Sequence, residues 1–206
     1  MKSERKDIAR QHLVKHRNTV EMLSDDKFYT VVYEIADLCS DALLNGKKIL
    51  FMGNGGSAAD AQHLAAELVG RYLEDRHSLA AMALNVNTSI LTAIANDYSY
   101  EEIFARQVEG IGNEGDVLIG LSTSGRSINV IKGLKAGKKK GLKTAALVGN
   151  FADDVKDICD IVLTIPEKYT PIIQEMHIMA GHIICGMIEH NIKMKAETAE
   201  FETTDV

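Results

Sequence analysis

The chain has 206 residues, 46% of them apolar and 25% charged, and a formal net charge of -6. That length holds one full-sized domain with its own core and is short for two enzyme domains, while the apolar fraction excludes a disordered chain. The negative balance gives no general attraction to nucleic acid or to an anionic membrane, so an anionic ligand has to be held by a local site.

The first segment, MKSERKDIARQHLVKH, is charged throughout without the apolar centre of a leader. No stretch reaches the roughly eighteen apolar residues of a membrane span, and a cytoplasmic protein is expected. Helical spacing runs over residues 3–23, with Ile8, His12 and Leu13 on one face, and over 27–45, with Val32, Ile35, Ala36, Cys39 and Leu43. Then comes ILFMG (49–53), a short apolar run, and the form recurs as LAAMAL (79–84), DVLIGL (116–121), KTAALV (143–148) and DIVLTI (160–165). Runs with almost no polar alternation suit strands covered on both faces. Helical patterns between them, over 57–69, 88–95, 100–110 and 126–140, predict an α/β fold: a parallel sheet with helices on both sides. The last helix is predicted over 171–194, after a loop bracketed by Pro166 and Pro171. Residues 1–194 are read as a single domain that includes the N-terminal helices, and the polar tail KAETAEFETTDV (195–206) as loose. Cys39, Cys159 and Cys185 form no CxxC pair and sit in apolar surroundings, which predicts buried, reduced thiols.

Two strand ends carry ligand-binding chemistry. After ILFMG the chain reads GNGGSAAD, in which Gly53, Gly55 and Ala58 satisfy only the loosest form of the dinucleotide fingerprint. The acidic residue that fingerprint wants after the second strand is missing, since LAAMAL leads to Asn85, and no Gly-Lys-Ser/Thr follows to make a Walker loop. Gly55, Gly56 and Ser57 instead offer a tight backbone, a hydroxyl and free amides at a helix start, which suits a monophosphate or a sugar hydroxyl. The plainer alternative is that Ser57 only caps the helix. After DVLIGL the chain reads STSGRS, placing Ser122, Thr123, Ser124 and Ser127 around Gly125 at another strand-to-helix turn. Hydroxyls and amides can wrap a phosphate without a lysine cluster, although Ser and Gly are also ordinary turn residues.

GNGGSAAD, STSGRS and the late IQEMHIMAGH together resemble the sugar isomerase (SIS) domain proteins, and in particular the phosphoheptose isomerases that act on sedoheptulose 7-phosphate. The similarity runs from about residue 10 to about 192. It implies a flavodoxin-like, three-layer α/β/α sandwich on a five-stranded sheet, a homotetramer with active sites between subunits, and a bound zinc ion. By the same resemblance Glu67 and His182 are the acid/base residues, and His63, Glu67, Gln174 and His182 surround the metal. Asn54, Gly55, Gly56, Ser57, Ser122, Thr123, Ser124, Ser127 and Gln174 match substrate contacts, with Arg71, Asn96 and Asp97 as further polar positions of the pocket. Relatives read RIQE where this chain reads PIIQE, so Ile172 stands in place of a basic residue. A second branch of the superfamily, the adaptor that associates with the DnaA initiator, shares the loops but lacks the Glu67 and His182 equivalents.

An aldose–ketose isomerisation needs a base, an acid for the oxygens and a group that polarises the carbonyl, roles open to Glu67, His182 and a divalent ion. His63 and Glu67 are about 40° apart around a helix and reach one site, or else form a solvated i,i+4 pair. Gln174 and His182 lie about 80° apart on theirs, a poorer alignment than Glu175 with His182, and on spacing alone Glu175 and His177 remain rivals to Gln174.

Overall fold

The computed structural model describes residues 2–204. Helices α1 (Lys2–Leu23) and α2 (Asp26–Leu44) lead into β1 (Ile49–Gly53), α3 (Gly56–Val69), β2 (Ala81–Ala83) and α4 (Thr88–Asp97). A 3-10 turn (Tyr100–Glu102) precedes α5 (Ala105–Ile111), β3 (Val117–Ser122), α6 (Ile128–Lys139), β4 (Lys143–Val148), α7 (Asp153–Lys156), β5 (Ile161–Thr164) and α8 (Thr170–Thr204). The sheet is parallel throughout and ordered β2-β1-β3-β4-β5, the flavodoxin-like order.

Alternation along the strands builds two cores. Ile49 and Phe51 of β1 and Val117, Ile119 and Leu121 of β3 meet α2, α3 and α8 on one face. Leu50, Met52 and Leu118 meet α5, α6 and α7 on the other, because successive side chains of a strand point to opposite faces. All five residues of β1 and all six of β3 are buried, which is why the sequence shows apolar runs there instead of a period of two. Where the central strands begin, buried Asp116 accepts hydrogen bonds from the Lys48 backbone N–H (3.0 Å), Lys48 Nζ (2.5 Å) and the Asn113 N–H (2.8 Å). Burial pushes its carboxyl up, but these donors outweigh it and hold the pKa below the ordinary value. The three cysteines are free and buried.

The helical stripe expected on α2 is real: the side chain of Asp25 accepts from the Phe28 N–H (2.8 Å) as N-cap, and Phe28, Val32, Ile35, Ala36 and Cys39 are buried. On α1 the expected stripe is not covered by this chain, since Ile8 and Leu13 are exposed and His12 instead meets α8. The region read as one helix over 100–110 divides into the 3-10 turn and α5. The last helix does not stop near residue 194 but continues to Thr204. Glu and Lys, which help make that segment polar, are, like its alanines, strong helix formers. No helix among the described residues is long and apolar enough to cross a membrane.

Candidate active site

In a sheet of this order the ligand crevice lies outside the carboxyl ends of β1 and β3, where connections leave to opposite faces. Gly53 pairs with Leu121 at those ends, α3 leaves toward the first core and α6 toward the second, so GNGGS and STSGRS open side by side. Gly55 is the N-cap of α3 with φ +56°, a backbone state that favours glycine, and it supplies no side-chain cap. Ser57 therefore is not the cap that the plainer reading made it; it is buried within the first helical turn. Asn54 is locked to Asn129 by two hydrogen bonds of 2.8 Å and accepts a third from the Tyr100 hydroxyl (3.0 Å). Asn129, buried at the start of α6, ties the two loops together and escaped the sequence reading, although it directly follows the STSGRS motif by two residues.

The second loop gathers its hydroxyls. Ser122 Oγ lies 3.0 Å from Ser127 Oγ and 3.4 Å from Ser124 Oγ, and Ser124 accepts from the Arg126 N–H at 3.2 Å. Ser127 occupies the N-cap of α6 without bonding its amides, and the Asn129 side chain accepts from the Val130 N–H (3.0 Å), which leaves the first two amides of that helix beside the hydroxyls. An open hollow of about 200 Å³ adjoins them, lined by Thr123, Ser124, Arg126, Asn150, Phe151 and Lys168 among others.

Across the crevice, α3 and α8 bring three ligand atoms together. His63 Nε2 lies 2.9 Å from His182 Nε2 and 3.0 Å from Glu67 Oε1. His63 is exposed and the other two are half-buried, and one ligand atom from each falls within 4.8 Å of the others. No other group of three His, Cys, Asp or Glu side chains converges in this way among the described residues. Gln174 comes to the start of α3: a Cβ at Gly56 would stand 1.8 Å from its Nε2, so the amide fills the space glycine leaves. Asp60, three residues before His63, is held above the ordinary carboxyl value by burial, opposed by a hydrogen bond from Gln174 and by the charges of His63 and His182. Its Oδ2 is buried with no protein partner. Asp60, His63 and Glu67 follow one another along one helical face of ADAQHLAAE, a spacing legible in the sequence that extends the His63–Glu67 pair by one residue.

The rivals on α8 go elsewhere. Glu175 bonds His12 Nε2 and His16 Nδ1 of α1, both at 2.6 Å. Burial pushes its carboxyl up, but the two histidines outweigh that and leave its pKa lowered. It shares an angular position with His182 yet lies about 10 Å farther along the helix axis, which the angular comparison leaves out. His177 is fully buried, its pKa lowered to about 4 mainly by desolvation, with a smaller opposing contribution from the Val148 backbone. Ile172, where the resemblance leads one to expect a basic residue, is completely buried in the core. Arg71, Asn96 and Asp97 do not join the cluster within this chain: all three are exposed, and Asn96 donates to Asp97 (2.9 Å).

The SIS domain family model matches residues 17–149. A phosphoheptose isomerase of Nitratiruptor sp. is 52% identical over 182 residues, 88% of this chain and 96% of that protein. The solved phosphoheptose isomerase of Neisseria gonorrhoeae superposes with a TM-score of 0.81 at 38% identity, covering 92% of this chain and 100% of the other. That of Francisella tularensis superposes with a TM-score of 0.86 at 29% identity, covering 89% and 97%.

Proposed function

We propose that this chain, which belongs to the SIS-domain phosphoheptose isomerase family, interconverts sedoheptulose 7-phosphate and D-glycero-D-manno-heptose 7-phosphate. The observation that carries the reading is the convergence of His63, Glu67 and His182 beside two strand-to-helix turns whose N-cap residues, Gly55 and Ser127, bond no helix amide through a side chain. The hydroxyls of Ser122, Thr123, Ser124 and Ser127 and the backbone amides of Ile128 and Asn129 at the start of α6 fit the phosphate. Asn54, Ser57 and the GNGGS backbone face the sugar end. Glu67 removes a proton from C1 of the ketose to give an enediol and returns it to C2. His182 moves the hydroxyl proton from O1 to O2, so that atoms and charge balance over the cycle.

Two imidazole nitrogens and a carboxylate oxygen form a donor set that suits zinc in a catalytic site, with the Gln174 amide at hand as a further ligand. Zinc bound there by His63, Glu67, Gln174 and His182 would supply Lewis-acid polarisation of the carbonyl. The exposed Arg71, Asn96 and Asp97, and an α4 on which no residue is buried, support a homotetramer in which a second copy completes each site. The product would enter nucleotide-activated heptose for surface polysaccharides, in the cytoplasm.

Conversion of sedoheptulose 7-phosphate by the purified protein is the deciding assay, run alongside metal analysis of protein prepared without chelator and of His63→Ala. Turnover, with about one zinc per chain that falls in the variant, is expected. No turnover on this sugar, with turnover of another sugar phosphate, would move the substrate assignment. No turnover on any, with tight binding to an initiator protein, would replace it by the adaptor reading. A second expected result concerns Gly56→Ala: its methyl collides with the mobile end of Gln174 and not with backbone. The melting temperature should stay within a few degrees, while kcat/KM falls about tenfold or more as Gln174 is displaced; unchanged kinetics would remove Gln174 from the site.

A further inference from the structure

His182 has a neighbour that the isomerisation chemistry does not call for. The ring of Tyr72 stacks on its imidazole, with centroids 5.6 Å apart and planes inclined by 22°, within the range of favourable aromatic pairs. His63 meets the same imidazole with ring centroids 5.0 Å apart and planes inclined by 56°. Tyr72 lies on an irregular segment just past α3.

Three features hold it. Glu189, buried on α8, accepts hydrogen bonds from the backbone N–H groups of Tyr72 (2.9 Å), Leu73 (2.9 Å) and Glu74 (3.1 Å) and from Arg76 Nε (2.8 Å). Arg76 in turn donates to the carbonyls of Leu68 (2.9 Å) and Glu67 (3.0 Å), where a cation is favoured at the end of α3. Gly186 forms the seat for the ring: a Cβ there would come within 3.3 Å of Tyr72 Cε1. Gly186 and Glu189 follow His182 by four and seven residues, so all three lie on one face of α8.

We infer that Tyr72 is a positioning residue for His182: the stacked ring, fixed by the Glu189 and Arg76 clamp, holds the imidazole where its Nε2 meets His63 and Glu67. This rests on the role proposed above for His182. A side chain that fixes a metal-binding or proton-transferring imidazole acts through its orientation, so the stack matters and the phenol hydroxyl does not.

The test compares the wild type with Tyr72→Phe, which keeps the stack, and Tyr72→Leu, which keeps apolar bulk without it. Zinc affinity is measured by competition with a chromogenic chelator, kcat and KM on sedoheptulose 7-phosphate, and folding by thermal melting. Tyr72→Phe is expected to match the wild type within about twofold. Tyr72→Leu should bind zinc about tenfold more weakly and lose about tenfold in kcat with KM little changed. Wild-type zinc affinity and kcat in folded Tyr72→Leu would overturn the inference. Should that variant not fold, Gly186→Ala decides instead, because its methyl crowds the ring while alanine favours the helix. A loss of the same kind supports the inference and wild-type behaviour overturns it. A wild type that neither binds zinc nor turns over would instead sink the role of His182 itself, a result distinct from a null effect in the variants.

Discussion

Glu67→Gln is expected to lower kcat on sedoheptulose 7-phosphate by about three orders of magnitude, the scale of a lost general base. The amide keeps the shape of the carboxylate but cannot take up a proton from C1. The i,i+4 contact between His63 and Glu67 is partly solvated, with 48% and 23% of the side chains exposed, so its loss should shift the melting temperature by only a degree or two. Zinc content of the variant, measured beside exchange of substrate hydrogen with deuterated solvent, separates the proton-transfer role from a purely metal-binding one: a base lost with zinc retained abolishes exchange in the loaded protein. Glu67→Gln should lose exchange as completely as turnover. Near-normal turnover, or exchange that persists while turnover is lost, would take the base away from Glu67.

What the sequence could and could not tell about this site follows from where each signal resides. The inner strands were legible because a parallel strand buried on both faces reads as an apolar run, as ILFMG, DVLIGL and KTAALV do, while the edge strands β2 and β5 are apolar though only partly buried. The loops were legible because glycine and serine collect where strands turn into helices. His63 and Glu67 were legible as an i,i+4 pair, but their pairing with His182 spans 119 residues of chain and is set by the docking of α8 on α3. Helical angle favoured Glu175 over Gln174, and the structure sends Glu175 to His12 and His16 because α1 packs on that end of α8. Angle is a local property, and the partner across the face is not. Asn129 and Glu189 were missed for the same reason, since each acts on a loop 75 or more residues away.

Glu189→Ala should cost about 3–5 kcal/mol of stability, the scale expected when one member of a buried ion pair is removed. The side chain of Glu189 is 2% exposed and that of Arg76 12%, so the guanidinium and three backbone N–H groups would lose their acceptor in a place that water reaches poorly. Burial by itself pushes the Glu189 carboxyl up, but the N–H donors of Leu73, Tyr72 and Glu74 and the charge of Arg76 outweigh it and hold its pKa below 4.5. A carboxylate whose folded pKa is depressed contributes stability that is fully present above its unfolded pKa and is lost as pH falls through the folded one. Urea melts of the wild type should therefore weaken as pH drops below about 4.5, and Glu189→Ala should show a shallower decline over the same interval. Replacing both partners, as in Glu189→Leu with Arg76→Leu, should cost less than Glu189→Ala alone, because no charge is then left unpaired. A loss below about 1 kcal/mol for Glu189→Ala would mean that the clamp is solvated in solution. Because the same carboxylate holds the segment with Arg71 and Tyr72 while Arg76 ends the helix that carries Glu67, stability and turnover should fall together in this variant. In Glu67→Gln only turnover should fall.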